Sequence, residues 1–291
     1  MTNLLRELKK LVDEKNIFVL DKDKTYASFD KSSLSPSLPF LVVKPSTVTE
    51  LIKVATCCFN QKKPVVIRAF GTGKSGGAIA KSDAVVIDIT ALNRISINKD
   101  DLVAEVEPGV ILNTFQEEVK KLGLFYPPDP ASFQWCSIGG NVAENAAGPS
   151  TIKYGTTKDY LLGGQMLLSS GELIDFGKNC PKGVTGYDLA SLLCGSEGTL
   201  AIFTKLRLRL LPLPKSFCLV ECFFADENQA LGAVNVLLNR GHRPKTLEFI
   251  DHNSLLALYK FLGQKLLKKY KASLIIECDA RSEERRVGKE C

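Results

Sequence analysis

The sequence predicts an α+β protein of more than one domain, on three observations. Short runs rich in β-branched and aromatic residues recur between segments whose apolar positions have helical spacing. After Pro212 and Pro214 the pattern restarts as strand, helix, strand, helix, strand. The 291 residues, 45% hydrophobic and 24% charged, have an ordinary globular composition and a length that suits about two domains.

The opening stretch sets Leu4, Leu5, Leu8, Leu11 and Val12 on one helical face, and residues 21–39 read as a polar connector, so 1–37 are assigned to a helix and a linker. A domain then spans 38–214. It opens with a strand at 41–43, then Thr47 with Glu50 three residues on, the spacing of a capping box, which predicts a helix to about residue 60. Strands follow at 65–68, 85–89, 102–106, 160–168 and 205–211, with a helix at 110–122 that Gly123 ends. Arg207 and Arg209 alternate with leucines on the last of these strands and are expected to face solvent. A second α+β domain is expected over 215–280, with strands at 218–224, 245–251 and 273–278 and helices at 226–239 and 253–270. It would need further strands to cover its sheet. Residues 281–291, RSEERRVGKEC, have no apolar period and read as a non-native tail.

Thirty-eight Lys and Arg against 32 Asp and Glu leave a net charge of only +6. The densest basic group, Lys260, Lys265, Lys268, Lys269 and Lys271, interleaves with leucines as the polar face of an amphipathic helix would, so neither nucleic acid nor a membrane surface is an expected partner. No apolar run approaches the roughly 18 residues of a transmembrane segment, and acids within the first residues oppose a signal peptide; a cytoplasmic location is expected. Nine cysteines, an odd number with no Cys-x-x-Cys pair, read as buried free thiols. No metal site is expected: the two histidines, His242 and His252, read as packing residues.

The segment RAFGTGKSGG, starting at Arg68, follows a strand and admits three phosphate-binding readings. A Walker loop would need a glycine where Arg68 stands, so Gly73-Lys74-Ser75 is a decoy. Gly71, Gly73 and Gly76 fit a dinucleotide fingerprint, with Asp88 as the ribose acid, but that motif needs a full helix after the last glycine and a strand resumes by Val85. The third reading is a row of main-chain N–H groups facing a pyrophosphate, with glycine where a side chain would hold the phosphate away. It needs no helix.

Three further segments are built of small residues: YPPDPASFQWCSIGGNVAENAAGP from Tyr126, KGVTGYDL from Lys182 and CGSEGTLAIF from Cys194. Such stretches suit backbone packed closely on a large flat ligand. Ser137 to Asn141 are expected to present consecutive N–H groups at a helix start, as an anion site.

In this order and spacing the segments resemble the FAD-binding domain of the vanillyl-alcohol oxidase/PCMH flavoproteins, most closely the branch that holds the flavin subunit of glycolate oxidase and the D-lactate dehydrogenases. The resemblance runs from about Asp30 to Asp251, and PKTLEFID, from Pro244, resembles the opening of that family's substrate domain. It implies a PCMH-type FAD-binding domain of two α+β subdomains, followed by the start of an α+β cap domain. By position, Arg68, Ala69, Phe70, Gly71, Thr72, Gly73 and Lys74 would hold the pyrophosphate of the cofactor. Asp129, Ser132, Ser137, Ile138, Gly139, Gly140 and Asn141 would line one face of FAD, and Glu144, Asn145 and Gly148 would continue that wall. Glu197, Gly198, Thr199 and Ile202 would close the site. Ala69, Ala147 and Ala201 stand where the family usually has glycine, and Lys74 where it has an apolar residue. Some relatives attach their flavin to a histidine in the first loop; this chain has none there, so FAD is expected to be held noncovalently.

The resemblance further implies oxidation of a small 2-hydroxy acid, glycolate or D-lactate, to the 2-oxo acid, with an electron-transfer partner subunit as a second partner. The substrate-binding and metal-ligating histidines of such relatives lie beyond the last residue here, so the chain is expected to be C-terminally truncated and to turn over poorly; no catalytic residue is named. The alternative is a non-catalytic FAD-binding subunit of a larger oxidase complex. A nicotinamide-dependent enzyme would rest on Gly71, Gly73, Gly76 and Asp88 alone.

Overall fold

The computed structural model describes residues 3–180, 182–265 and 269–280. They divide into two units. The first comprises the residues up to Tyr126, Ala131–Ala146 and Thr157–Pro212; the second comprises Pro127–Pro130, Ala147–Thr156 and the described residues from Leu213 on.

The first unit starts with α1 (Asn3–Leu8), whose Leu4 and Leu8 are buried, and a short strand β1 (Ile17–Phe18). The polar connector predicted over 21–39 is instead partly helical: α2 (Asp21–Lys24) runs into a 3₁₀ turn at Thr25–Ala27. Lys24, Ser28 and Asp30 are buried there because each has a partner, Lys24 Nζ on the Pro39 and Phe40 carbonyls among them. Strand β2 (Leu41–Val43) leads to α3 (Val48–Asn60). The Thr47 hydroxyl accepts from the Glu50 N–H as the capping spacing predicts, while the Glu50 carboxylate reaches one residue further back, to the Ser46 N–H.

Strands β3 (Val65–Arg68) and β4 (Val85–Asp88) complete a sheet in the order β1-β2-β4-β3, with β2, β4 and β3 parallel. Period-two alternation buries both faces. Leu41, Val43, Val85 and Ile87 pack with α1 and α3, whereas Val42 and Val86 face Ala27, Ala80 and Ala84.

A second sheet is antiparallel throughout: β5 (Ile95–Asn98), β6 (Val103–Val106), β8 (Leu161–Leu167), β9 (Leu173–Gly177) and β10 (Ile202–Arg209), in the order β5-β6-β10-β8-β9. Between them lie α4 (Leu112–Lys121), β7 (Leu124–Phe125), α5 (Ile138–Glu144) and α7 (Leu189–Leu193), and β11 (Leu211–Pro212) pairs with β7. Strand β10 starts three residues earlier than predicted. Its Arg207 does not simply face solvent: the guanidinium pairs with Glu105 on β6 at 2.9 Å and donates to the Lys178 carbonyl, while Arg209 is exposed.

The second unit holds α6 (Thr151–Tyr154), β12 (Ser216–Phe224), α8 (Glu227–Asn239), β13 (Thr246–Ile250), α9 (His252–Phe261) and β14 (Ala272–Ala280), with β14 central in the order β12-β14-β13. Ala230 of α8 packs on Ala272 and Leu274. Helix α9 ends well before the predicted residue 270, because Gly263 takes a left-handed φ of +65° just past its last turn. Lys268, Leu266 and Leu267 of the predicted basic helix face lie outside the described residues, as does the tail 281–291. Gly232 in α8 has open space where a Cβ would sit. Gly232→Ala is therefore expected to stabilise the unit by roughly 0.5–1 kcal/mol, read as a higher urea midpoint.

The free cysteines are not all buried: Cys58, Cys136 and Cys194 are, but Cys180, Cys218 and Cys278 are exposed. A buried apolar thiol is the common case, yet the exposed three sit on a loop and on β12 and β14.

Candidate functional site

The glycine loop runs from the end of β3 to the start of β4, two adjacent parallel strands, with neither helix nor strand between Ala69 and Ala84. A dinucleotide fingerprint of the nicotinamide type needs a helix at that point, so the topology excludes it. Gly71 and Gly76 take φ of +63° and +88°, which L side chains rarely adopt. Ala69, Ala147 and Ala201, by contrast, are absent from the left-handed region, so their methyl groups are accommodated without strain.

Two residues that tempt a ligand reading are used up by the scaffold. The buried Arg68 guanidinium donates to the carbonyls of Tyr26 (2.9 Å), Phe29 (2.8 Å) and Ala78 (3.1 Å). Asp88 accepts from the Tyr26 hydroxyl at 2.8 Å and from Thr90 N–H and hydroxyl at 2.9 and 2.6 Å. Arg68 thus ties both the segment before β2 and the far end of the glycine loop to the sheet, and burial pulls its pKa down while Tyr26, Asp88 and Asp30 oppose that. What the loop can offer a ligand is main chain. From Phe70 to Gly77, none of the N–H groups donates to a protein acceptor among the described residues, whereas the Gly73 carbonyl is held by Lys31 N–H at 3.0 Å.

The anion site predicted at the start of α5 is not available. Ile138 N–H donates to the Val110 carbonyl, Gly139 N–H to Pro108, Gly140 N–H to the Ser137 hydroxyl and Asn141 N–H to the Ser137 carbonyl, at 2.8 to 3.0 Å. Spacing alone could not reveal this, because two of the acceptors come from a loop some thirty residues earlier in the chain. The glycine at 139 has its own reason: a Cβ there would lie 2.6 Å from both the Cβ and the carbonyl oxygen of Pro108. Asn141 is buried, its side-chain Nδ2 without an acceptor and beside the Cys136 thiol.

The CGSEG segment docks on the end of the same helix. Gly195 N–H bonds the Val142 carbonyl and Glu197 N–H the Ala143 carbonyl, each at 2.9 Å. Asn145, left-handed at φ +48°, caps the helix, and its Oδ1 accepts from Lys158 N–H and the Cys194 thiol. The glycine loop meets both: the Ser75 hydroxyl donates to Glu144 at 3.3 Å, a Cβ on Gly73 would stand 3.5 Å from Glu144, and one on Gly77 3.1 Å from Glu197. Three stretches distant in sequence therefore converge. Gly198 and Thr199 are exposed on this surface, whereas Ile202 is buried in the core behind it. Of the remaining predicted residues, Phe70 and Lys74 are exposed and Ser132 closes the turn that carries Trp135 and Cys136.

Asp129 and Gly148 belong to the second unit. There the Asp129 carboxylate accepts from the Ser150 N–H and hydroxyl, and a Cβ on Gly148 would lie 2.2 Å from the Asp129 carbonyl oxygen, so the two loops are locked together. Burial pushes the Asp129 carboxyl up, against the Ser150 bonds. The residues that sequence reasoning misses are Tyr26, Phe29 and Asp30. Their signal is the aromatic content of a segment whose charges read as a polar linker.

Glu144 is raised from its ordinary value near 4.5, first by burial, then by the charges of Glu197 and Asp30. A raised carboxyl favours folding fully below its unfolded value, and that contribution is lost as pH rises through the folded value. Glu144→Gln is thus expected to unfold at a slightly higher temperature than the parent at pH 7, with the difference closing as pH falls toward 4.5; thermal melts across that range check it.

A strand–loop–strand unit whose loop N–H groups are unpaired among the described residues, backed by a helix and a second glycine segment, has the form that a dinucleotide site read by backbone would need. The family comparisons agree. A model described as FAD binding domain matches residues 39–177, and one described as FAD linked oxidases, C-terminal domain, matches 213–289. The glycolate oxidase subunit GlcD of Bacillus subtilis is 36% identical over 253 residues, 87% of this chain and 54% of that protein. A D-lactate dehydrogenase of Anaerostipes hadrus is 32% identical over 262 residues, 89% of this chain and 55% of that protein. Among solved structures, an alkyldihydroxyacetonephosphate synthase superposes with a TM-score of 0.86 at 18% identity, covering 99% of this chain and 57% of that one. p-Cresol methylhydroxylase gives 0.80, also at 18%, covering 99% and 62%. The chain belongs to the PCMH-type FAD-linked oxidoreductases. It spans about half the length of the curated relatives it matches.

No helix among the described residues is long and apolar enough to cross a membrane.

Proposed function

We propose that this chain binds FAD noncovalently and serves the oxidation of a small 2-hydroxy acid, glycolate or D-lactate, to the 2-oxo acid. The observation that carries the reading is the row of unpaired main-chain N–H groups from Phe70 to Gly77, backed by Glu144 of α5 and by Glu197 of the CGSEG segment. A pyrophosphate needs several donors converging without side chains in the way, and this loop offers them. Bound FAD would supply the acceptor for hydride leaving C2 of the hydroxy acid. The chain's own residues act around it: the main chain of 70–77 holds the phosphates, Arg68 fixes the loop from behind, and Asn141 and 195–199 line the adjoining wall. On this reading the FAD domain is 38–214 and the substrate domain begins at 215, and the protein works in the cytoplasm. The GlcD relatives are named as subunits, which supports a partner subunit for this chain, with electron transfer as its proposed role.

Purified protein incubated with FAD and desalted is expected to retain flavin absorbance, and acid precipitation to leave all of it in the supernatant; flavin remaining with the polypeptide would contradict noncovalent binding. Anaerobic addition of glycolate or D-lactate to the loaded protein tests the substrate class by bleaching of that absorbance. Gly73 gives a sharper test of the loop. A Cβ there meets only the Glu144 carboxylate, at ordinary contact distance, so Gly73→Ala should fold as well as the parent. A methyl group on the cradle would still hold the phosphate away, and FAD affinity is expected to fall about tenfold or more, measured by quenching of flavin fluorescence. Unchanged affinity would move the pyrophosphate off this loop.

A further inference from the structure

The flavin site leaves one feature of the second unit unused. Cys218 on β12 and Cys278 on β14 are directly opposite each other in the antiparallel register, and both are exposed. We propose that they form a redox-active dithiol that closes to a disulfide between the two strands when a small disulfide or a hydroperoxide is present.

Residues directly opposite on antiparallel strands have Cα atoms about 4.5–5.5 Å apart and side chains on the same face. A disulfide needs Cα atoms at about 4.4–6.8 Å, so no strand has to move. The next pairs on that face, Val220 with Ile276 and Cys222 with Leu274, run toward the core beneath α8, while the Cys218–Cys278 pair lies at the open end. No other thiol has this arrangement among the described residues. Cys222 faces Leu274, Cys180 donates to the Lys182 carbonyl on its own loop, Cys57 lies on α3 and accepts from the Gln61 amide, and Cys58, Cys136 and Cys194 are buried. The electrostatics agree on proximity: the Cys278 thiol is pushed up first by partial burial and next by the Cys218 sulfur, with Lys153 opposing. Both sulfurs are exposed and either can attack first; the step is written with Cys218.

With oxidised glutathione, the Cys218 thiolate attacks one glutathione sulfur and expels the other as a thiolate. The Cys278 thiolate then attacks the Cys218 sulfur of the mixed disulfide and expels the second glutathione thiolate. The two cysteine protons end on the two glutathione thiols, and two electrons pass from the protein to the reagent. With a hydroperoxide, the Cys218 thiolate attacks the distal oxygen, the O–O bond breaks and the alcohol leaves, giving the Cys218 sulfenic acid; the Cys278 thiol then attacks that sulfur and its oxygen leaves as water. An exposed disulfide of this kind is readily reduced, which suits a reversible device rather than a permanent staple.

The test is a thiol map of the whole chain. After treatment with oxidised glutathione, blocking with N-ethylmaleimide and digestion without reduction, mass spectrometry is expected to find the Cys218 and Cys278 peptides linked, and dithiothreitol to release them. Cys218→Ser and Cys278→Ser should each abolish the link, and Cys180→Ser should leave it intact. Cys218 and Cys278 recovered separately alkylated or separately glutathionylated in the wild-type protein, or linked to Cys222 or to a second chain, would overturn the proposal.

Discussion

Replacing Arg68 with methionine is expected to lower stability by about 3–5 kcal/mol, the largest single effect in the first unit. The side chain is buried, and its guanidinium bonds the carbonyls of Tyr26, Phe29 and Ala78. Methionine keeps the apolar stem but leaves those buried acceptors without donors, and it removes the cation beside Asp88 and Asp30. The same change frees the glycine loop at its far end, so FAD binding should fail together with the fold. Urea unfolding with flavin titration measures both. A variant as stable as the parent would show that the three carbonyls find other donors.

Gly139→Val is the second. Its Cβ would stand 2.6 Å from the Pro108 Cβ and carbonyl oxygen, in backbone that cannot rotate away. The start of α5 must retreat, breaking the Gly139 and Ile138 N–H bonds to Pro108 and Val110. A cost of about 3 kcal/mol is expected, with loss of FAD retention, because α5 carries Asn141 and Glu144. Gly140→Ala is the control: its Cβ meets only the Ser137 hydroxyl, at 3.2 Å, so a shift of a few tenths of an ångström suffices and the fold should survive. Chemical denaturation of the pair separates a steric demand at one position from a general intolerance of side chains at the helix start.

Both variants concern contacts between residues far apart in the chain, and there the sequence is least informative. Strands β5 and β9 leave little mark in it. They are the outer strands of the five-stranded sheet, paired on one side only. Ile95 and Ile97 give β5 just two apolar positions, both half-buried, and Leu173–Gly177 is mostly exposed, so neither carries the pattern of a buried strand. Strand β10 begins before its visible alternation because Ile202–Thr204 adjoin the small-residue segment and share its character. The central strands β2, β4 and β8 are legible to within one residue of their bounds, because burial on both faces requires continuous apolar runs, and the edge strand β3 is legible from its Val65–Ile67 run. The capping spacing places α3 for a local reason: Thr47 and Glu50 sit within one turn of each other.

The succession of β2, α3, β3, β4, β6, α4, β8 and β10, and a glycine loop too close to the next strand to open a nucleotide-binding helix, are thus written in the residues themselves. Short-range geometry settles both, since chain length between elements limits what can form there. Which polar groups remain for a ligand is instead an outcome of the folded arrangement. The terminal nitrogens of Arg68 and the N–H groups at 138–141 look available in sequence and are taken by acceptors from 26, 29, 78, 108, 110 and 137, while the N–H groups of 70–77 are left over. Hydrogen-bond capacity is used up by whichever acceptor packing brings near, and packing is a property of the whole fold.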